Sequence, residues 1–132
     1  MNCYFYAHID GQNPEGEAAI VKQYTEKNRL VITQTVTDSD NIKSNWADRK
    51  IGQIIKTGKP GDTIIVFEAA QIACSTSQML DFLAKASESK INIYFVKYNA
   101  QINNQSESTK TVDLLAIIGQ IESDFISKRT TQ

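Results

Sequence analysis

GDTIIVFEAAQIACSTSQMLDF, residues Gly61 to Phe82, is the stretch that decides the fold. It opens on a turn at Lys59-Pro60-Gly61-Asp62 and passes through Thr63 to Phe67, whose β-branched and aromatic side chains favour a buried strand. Ser75-Thr76-Ser77 then precedes Met79, Leu80, Phe82 and Leu83, the signature of a capped helix running from Ser75 to about Ser89. A strand therefore feeds a helix across the loop Glu68 to Cys74. In open parallel sheets that carboxyl end of a strand is where ligands and chemistry sit. The loop, EAAQIAC, offers one carboxylate, one amide and one thiol.

Outward from that unit the pattern repeats. Asn2 to Ile9 is a short apolar and aromatic strand ended by Asp10-Gly11-Gln12-Asn13-Pro14. From Glu15 a helix is predicted with Ala18, Ala19, Ile20, Val21 and Tyr24 on one broad side, acids early and Lys27 late, as the helix dipole favours. Leu30 to Val36 reads as a second strand, and Ile91 to Tyr98 as a fourth. Between Thr37 and Asn45 the chain is polar. WADRKIGQIIKTG follows, with Trp46, Ile51, Ile54 and Ile55 near helical spacing and Gly58 as a stop. Asn99 to Ser108 reads as a loop. The final segment sets Val112, Leu115, Ile118, Ile121 and Phe125, with Leu114 and Ile117 on the flank, along one long helix whose apolar face suits either the sheet or a second chain. Alternating strands and helices predict an α/β domain of three layers: a mainly parallel sheet of four to five strands, helices on both faces and a long C-terminal helix.

Composition narrows the function classes. At 132 residues the chain fits a single domain, 1–132. Its 14 basic and 15 acidic residues leave a net charge of -1, without the positive field that draws proteins to phosphate backbones, so DNA binding is expected to be weak. Cys3 and Cys74 form no CxxC pair and there is one histidine, so no metal, cofactor or disulfide framework is expected. The start MNCYFYAHID carries no export signal, no stretch approaches the length of a membrane helix, and the expected location is the cytoplasm.

The order of landmarks resembles one family, the catalytic domain of the serine recombinases, the resolvases and DNA invertases. Their opening strand reads YARVS, against Tyr6-Ala7-His8-Ile9-Asp10 here. Their middle signature, DR-x-x-L and then GD-x-L-V-V-x-x-L-D-R-L-G-R-S, stands against Asp48-Arg49, Gly61-Asp62-Thr63-Ile64-Ile65-Val66 and Glu68 to Ser75. The closing AE-x-ER-x-x-I-x-E-R-T is matched in frame by Gly119 to Thr130. The resemblance spans essentially the whole chain and implies a resolvase-like fold. Family members continue into a helix-turn-helix DNA-binding domain, and none is expected within these residues.

Carried over by position, the resemblance implies a serine that attacks a DNA phosphodiester, a set of arginines that grip the phosphate, and an aspartate that positions the reacting groups. Asp10 stands at the serine's place, and a carboxylate there repels the scissile phosphate and makes no stable phosphoester. His8, Gln71, Cys74 and Ser123 stand at arginine positions and Ala70 at the aspartate's; Arg49 and Arg129 are retained and are the candidate phosphate contacts. The frame is therefore expected without the catalysis. Its expected role is dimerisation, or pairing with another serine recombinase, through Val112, Leu115, Ile118, Ile121 and Phe125. A functional or recently decayed DNA recombinase domain is the first alternative. A small-molecule or metal-binding domain using the cleft around His8, Asp10 and Glu68, with Glu68 or Asp40 completing a metal site, is the second. Ser75, Thr76 and Ser77 read as helix caps rather than replacement nucleophiles, and Cys74 as a small buried side chain rather than a reactive thiol. Asp10 and Glu68 at strand ends also bring a phospho-acceptor receiver domain to mind, but the paired acids of such a site are missing.

Overall fold

The computed structural model describes the backbone of residues 1–8, 14–38, 45–73, 75–102 and 111–130, and the side chains of these except 14–16, 111–115 and 128–130. In chain order the elements are β1 (Cys3–His8), α1 (Pro14–Lys27), β2 (Gln34–Asp38), α2 (Lys50–Thr57), β3 (Thr63–Val66), α3 (Thr76–Glu88), β4 (Asn92–Phe95), β5 (Ala100–Ile102) and α4 (Thr111–Thr130). Single 3-10 turns at Trp46–Asp48 and Ala69–Gln71 lead into the segments after β2 and β3.

One sheet holds all five strands in the order β2-β1-β3-β4-β5, parallel except for β5. The connection from β1 to β2 travels one way along the sheet; those from β2 to β3 and β3 to β4 travel the other. Right-handed crossovers then place α1 on one face and α2 and α3 on the opposite face. Packing agrees. Tyr4, Tyr6, Ile64, Val66, Ile93, Phe95 and Ile102 form one core with residues of α2, α3 and α4, whereas Cys3, Ile65 and Val96 pack with Val21 of α1. Because the strands are in register, Val36, Tyr6, Val66, Phe95 and Ala100 form one row across the sheet beneath the larger helical layer.

The larger core explains the local choices of the chain. Trp46 meets Phe82 edge to face with ring centroids 5.2 Å apart, joining the turn before α2 to α3. Ile51, Ile54 and Ile55 are buried on α2, and Met79, Phe82, Leu83 and Ala86 on α3. Ser75 caps α3 by accepting from the Gln78 amide at 3.2 Å, the role expected of it. Gly61 supports the turn into β3 with φ of 95°, which side chains rarely adopt.

Several boundaries move. The second strand lies at Gln34–Asp38 instead of Leu30 to Val36, because Thr33 makes the junction to β1: its hydroxyl accepts from the Cys3 amide at 2.8 Å and its amide donates to the Cys3 carbonyl at 2.8 Å. Of the apolar residues expected on one side of α1, Val21 is buried and Tyr24 half-buried, while Ala18, Ala19 and Ile20 face solvent; one helix on a sheet needs a narrower stripe than the run of apolar residues suggested. The helix expected from Trp46 breaks at Arg49, whose backbone is extended (φ -102°, ψ 177°). The fourth strand stops at Phe95, the chain turns over Val96 to Asn99 with Asn99 at φ 49°, and Ala100–Ile102 returns as an antiparallel edge strand within the predicted loop. The remainder of that loop lies outside the described residues.

Candidate functional site

The sheet's direction reverses about β1, since its neighbours β2 and β3 are reached by opposite crossovers. The crevice of such a sheet lies at the carboxyl ends of the strands on either side of that point. Here those ends carry His8, Asp38 and the segment Glu68 to Ile72.

A chain of buried polar groups runs through this region. The Tyr6 hydroxyl donates to Asp38 Oδ2 at 2.7 Å, since Asp38 lies two residues beyond Val36, the β2 partner of Tyr6, and so on the same face of the sheet. Asp38, buried at the end of β2, also accepts from the Lys50 amide, at 3.0 Å to Oδ2 and 3.3 Å to Oδ1, so it satisfies an otherwise orphaned donor at the positive end of α2. Arg49 sits just before that helix, and its extended backbone turns the side chain inward, where it is 2% exposed. Its Nη1 donates to the Tyr6 hydroxyl at 3.2 Å and to the Gln71 carbonyl at 3.3 Å, and its Nη2 donates to the Ile72 carbonyl. The guanidinium thus fastens the 3-10 turn after β3 to β1 and α2. Gln71, also buried, donates from Nε2 to Glu17 Oε2 on α1 at 2.9 Å. Among the described residues Arg49 Nε, Gln71 Oε1 and Trp46 Nε1 are buried without a hydrogen-bond partner.

A second polar cluster ties α4 to the sheet. Lys97 Nζ donates to Glu68 Oε2 at 2.9 Å and to Asp124 Oδ1 at 2.7 Å; the Tyr98 hydroxyl donates to Asp124 Oδ2 at 3.0 Å and accepts from the Ala69 amide at 3.3 Å. Burial pushes the Tyr98 hydroxyl well above the ordinary tyrosine range; the Ala69 amide opposes this, and the Asp124 charge adds to it. For Lys97 burial acts downward, but the hydrogen bonds to Asp124 and Glu68 outweigh it and hold the ammonium above the usual lysine value. An open groove of about 680 Å³ lies alongside, lined by Lys97, Tyr98, Gly119, Gln120, Ser123 and Asp124 among others.

The sequence-derived positions fall into separate places. Arg49 and Gln71 meet at the turn after β3, Ala70 is half-buried against the core, and His8 is buried at the end of β1. Ser123 is exposed on α4 in the groove beside Tyr98. Asp10, Asp40 and Cys74 and the side chain of Arg129 lie outside the described residues. Among those described, no three His, Cys, Asp or Glu side chains are grouped to hold a metal ion, and Glu68 is engaged by Lys97. The face expected to meet a partner divides: Ile121 and Phe125 are buried with Ile117 in the chain's own core, Ile118 is half-buried, and the side chains of Val112 and Leu115 lie outside the described residues. Spacing of four residues keeps 117, 121 and 125 on one narrow stripe, which the larger core beside α3 takes. Sequence reasoning did not single out Tyr6, Glu17, Asp38, Lys97, Tyr98 or Asp124. Asp38 carried a legible signal, an acid where an apolar strand ends, but its partners lie on other strands.

The sequence matches a known domain family, the resolvase N-terminal domain, over residues 8–132. The chain belongs to that family. Solved structures of similar fold include the N-terminal catalytic domain of TP901-1 integrase, at 13% identity, covering 100% of this chain and 99% of that one with a TM-score of 0.66. A resolvase family site-specific recombinase from Streptococcus pneumoniae is 18% identical over 99% of this chain and 93% of its own, with a TM-score of 0.65. No curated protein matches the sequence. Within the matched residues Arg49 holds the turn after β3, and Asp62 accepts from the Asn2 amide at 3.0 Å and the Lys59 amide at 2.9 Å, closing the turn before β3. Both are buried and structural in this chain.

Proposed function

We propose that this chain is a recombinase-family domain that does not cut DNA and works by contact with protein, either a second copy of itself or an active serine recombinase. The observation that carries the reading is the fate of Arg49. It stands at a retained cationic position, yet its Nη groups are spent on the Gln71 and Ile72 carbonyls and the Tyr6 hydroxyl. A guanidinium with both Nη groups engaged and its Nε buried presents no open fork to a phosphate. Beside it, an arginine position is filled by Gln71, which is bound to the carboxylate of Glu17, so the local field is turned against an incoming phosphate.

The magnitude supports the same conclusion. Each preorganised donor lost from a developing charge costs about 2.7 to 4 kcal/mol of transition-state stabilisation. His8, Gln71, Cys74 and Ser123 stand at four such positions and Asp10 at the nucleophile's. Losses of this kind are not additive, but no combination of them leaves the family's phosphoserine route open. A role in contact draws instead on the preserved frame and on α4, which keeps Ile126 54% exposed and Ile118 half-buried. Sedimentation of the chain alone and mixed with an active serine recombinase tests it: association in either sample is expected, and a strict monomer in both contradicts the reading.

A further inference from the structure

We propose that Glu68, Lys97, Tyr98 and Asp124 form a salt-sensitive clasp that sets whether α4 stays seated beside α3 on the larger core, and with it whether the stripe Ile117, Ile121 and Phe125 stays buried there. The partner half of this idea rests on the contact role proposed above; the clasp itself rests on geometry. Asp124 is the α4 residue in the cluster, and both its oxygens are taken: Oδ1 by Lys97 at 2.7 Å and Oδ2 by Tyr98 at 3.0 Å. It immediately precedes Phe125, so the polar fastening and the end of the apolar stripe are adjacent. On the sheet side Lys97 and Tyr98 occupy the turn between β4 and β5, and Glu68 and Ala69 the segment after β3. Three segments thus meet at one ammonium and one phenol.

Two features make this a clasp rather than a fixed core contact. The carboxylates of Glu68 and Asp124 share a single cation, so removal of Lys97 leaves like charges facing one another. The Lys97 side chain is 37% exposed and borders the open groove, so dissolved ions reach it and weaken the pair, whereas the buried stripe is insensitive to salt. Gly119, within α4 and lining the same groove, has nothing within 4 Å of where a side chain would begin, and a glycine there lowers the helix's own stability. The seating of α4 therefore depends on the stripe and the clasp together.

Hydrogen exchange on the full chain, with sedimentation of the same samples, tests the clasp. Lys97→Met is expected to speed exchange of the amides at 117–127 about tenfold, the scale of one charge-assisted hydrogen bond, while β3 amides keep their protection. Raising salt from about 0.05 M to about 0.5 M is expected to speed the same α4 amides in the parent and not in Lys97→Met. Glu68→Gln, which keeps the hydrogen-bond acceptor and removes one carboxylate charge, is expected to lie between the two. Equal α4 exchange in all three proteins overturns the proposal, as does loss of β3 protection in step with α4. If α4 opens and no association appears in sedimentation, the clasp stands and the contact role falls; association with unchanged α4 exchange does the reverse.

Discussion

Replacing Arg49 by alanine separates a structural arginine from one held ready for DNA. The substitution removes the donors that satisfy the Gln71 and Ile72 carbonyls and the Tyr6 hydroxyl, all in a region closed to water. Each buried acceptor left without a partner costs about 1 to 3 kcal/mol, and removal of one member of a buried charged network costs about 3 to 5 kcal/mol in total. Against this stands the relief of desolvating a guanidinium, so the lower end, about 3 kcal/mol, is the expected loss. That is a large share of the roughly 5 to 15 kcal/mol that holds a domain together. With a urea slope of about 1 to 3 kcal/mol per molar, the unfolding midpoint should fall by about 1.5 M. Arg49→Lys keeps the charge without the planar fork and should recover only part of that loss. The assay is equilibrium urea unfolding followed by tryptophan fluorescence, since Trp46 is buried three residues away. A midpoint for Arg49→Ala within about 0.3 M of the parent would refute the reasoning, because an arginine kept free for a ligand costs the fold nothing when removed.

Other outcomes follow from the same contacts. Tyr6→Phe removes the 2.7 Å bond to Asp38 and the acceptor of Arg49 Nη1, and should cost about 1.5 to 3 kcal/mol in the same unfolding assay. Gly52→Ala places a Cβ 2.3 Å from the Ala47 carbonyl oxygen, backbone that cannot give way cheaply, and should lower stability by about 1 to 3 kcal/mol or more, read as a drop in melting temperature. The Tyr98 hydroxyl has its pKa raised in the folded chain, so its contribution is whole below pH 10.0, the ordinary tyrosine value, and is lost as pH climbs beyond it, when the unfolded chain releases its proton first. Lys97, also raised, acts in the same direction above pH 10.5. Urea midpoints between about pH 8 and pH 11 should therefore decline at the alkaline end, and less so in Tyr98→Phe.

How much of this was legible in the chain depends on whether the deciding contacts are local. The strand from Thr63 and the helix after Ser75 were, because β-branched residues, a serine cap and helical spacing are short-range signals that the core then rewards. The break at Arg49 was not: WADRKIGQIIKTG has helical spacing, and the extended backbone there goes with contacts to distant segments, the Arg49 side chain to Tyr6, Gln71 and Ile72 and the Lys50 amide to Asp38. Ala100–Ile102 was read as loop because three residues among asparagines carry no periodicity, and pairing with β4 supplies the strand. At the site, Arg49 could be named from the resemblance, but what its side chain touches could not. The clasp was equally hidden, since Lys97 finds Glu68 and Asp124 at separations of 29 and 27 residues. Burial of Ile121 and Phe125 shows the same limit: spacing marks a helical face as apolar without saying which surface covers it.

The family's reaction passes through a phosphoester between protein and DNA, and that bond can be sought without knowing any recombination site. Incubation of the full chain with end-labelled fragments of pooled genomic DNA, quenched with detergent and resolved on a denaturing gel, gives a shifted band if the bond forms. The account predicts no protein-linked label, alongside a positive signal from an active serine recombinase given its own site. A labelled adduct that vanishes with protease and maps to a residue of this chain would contradict it.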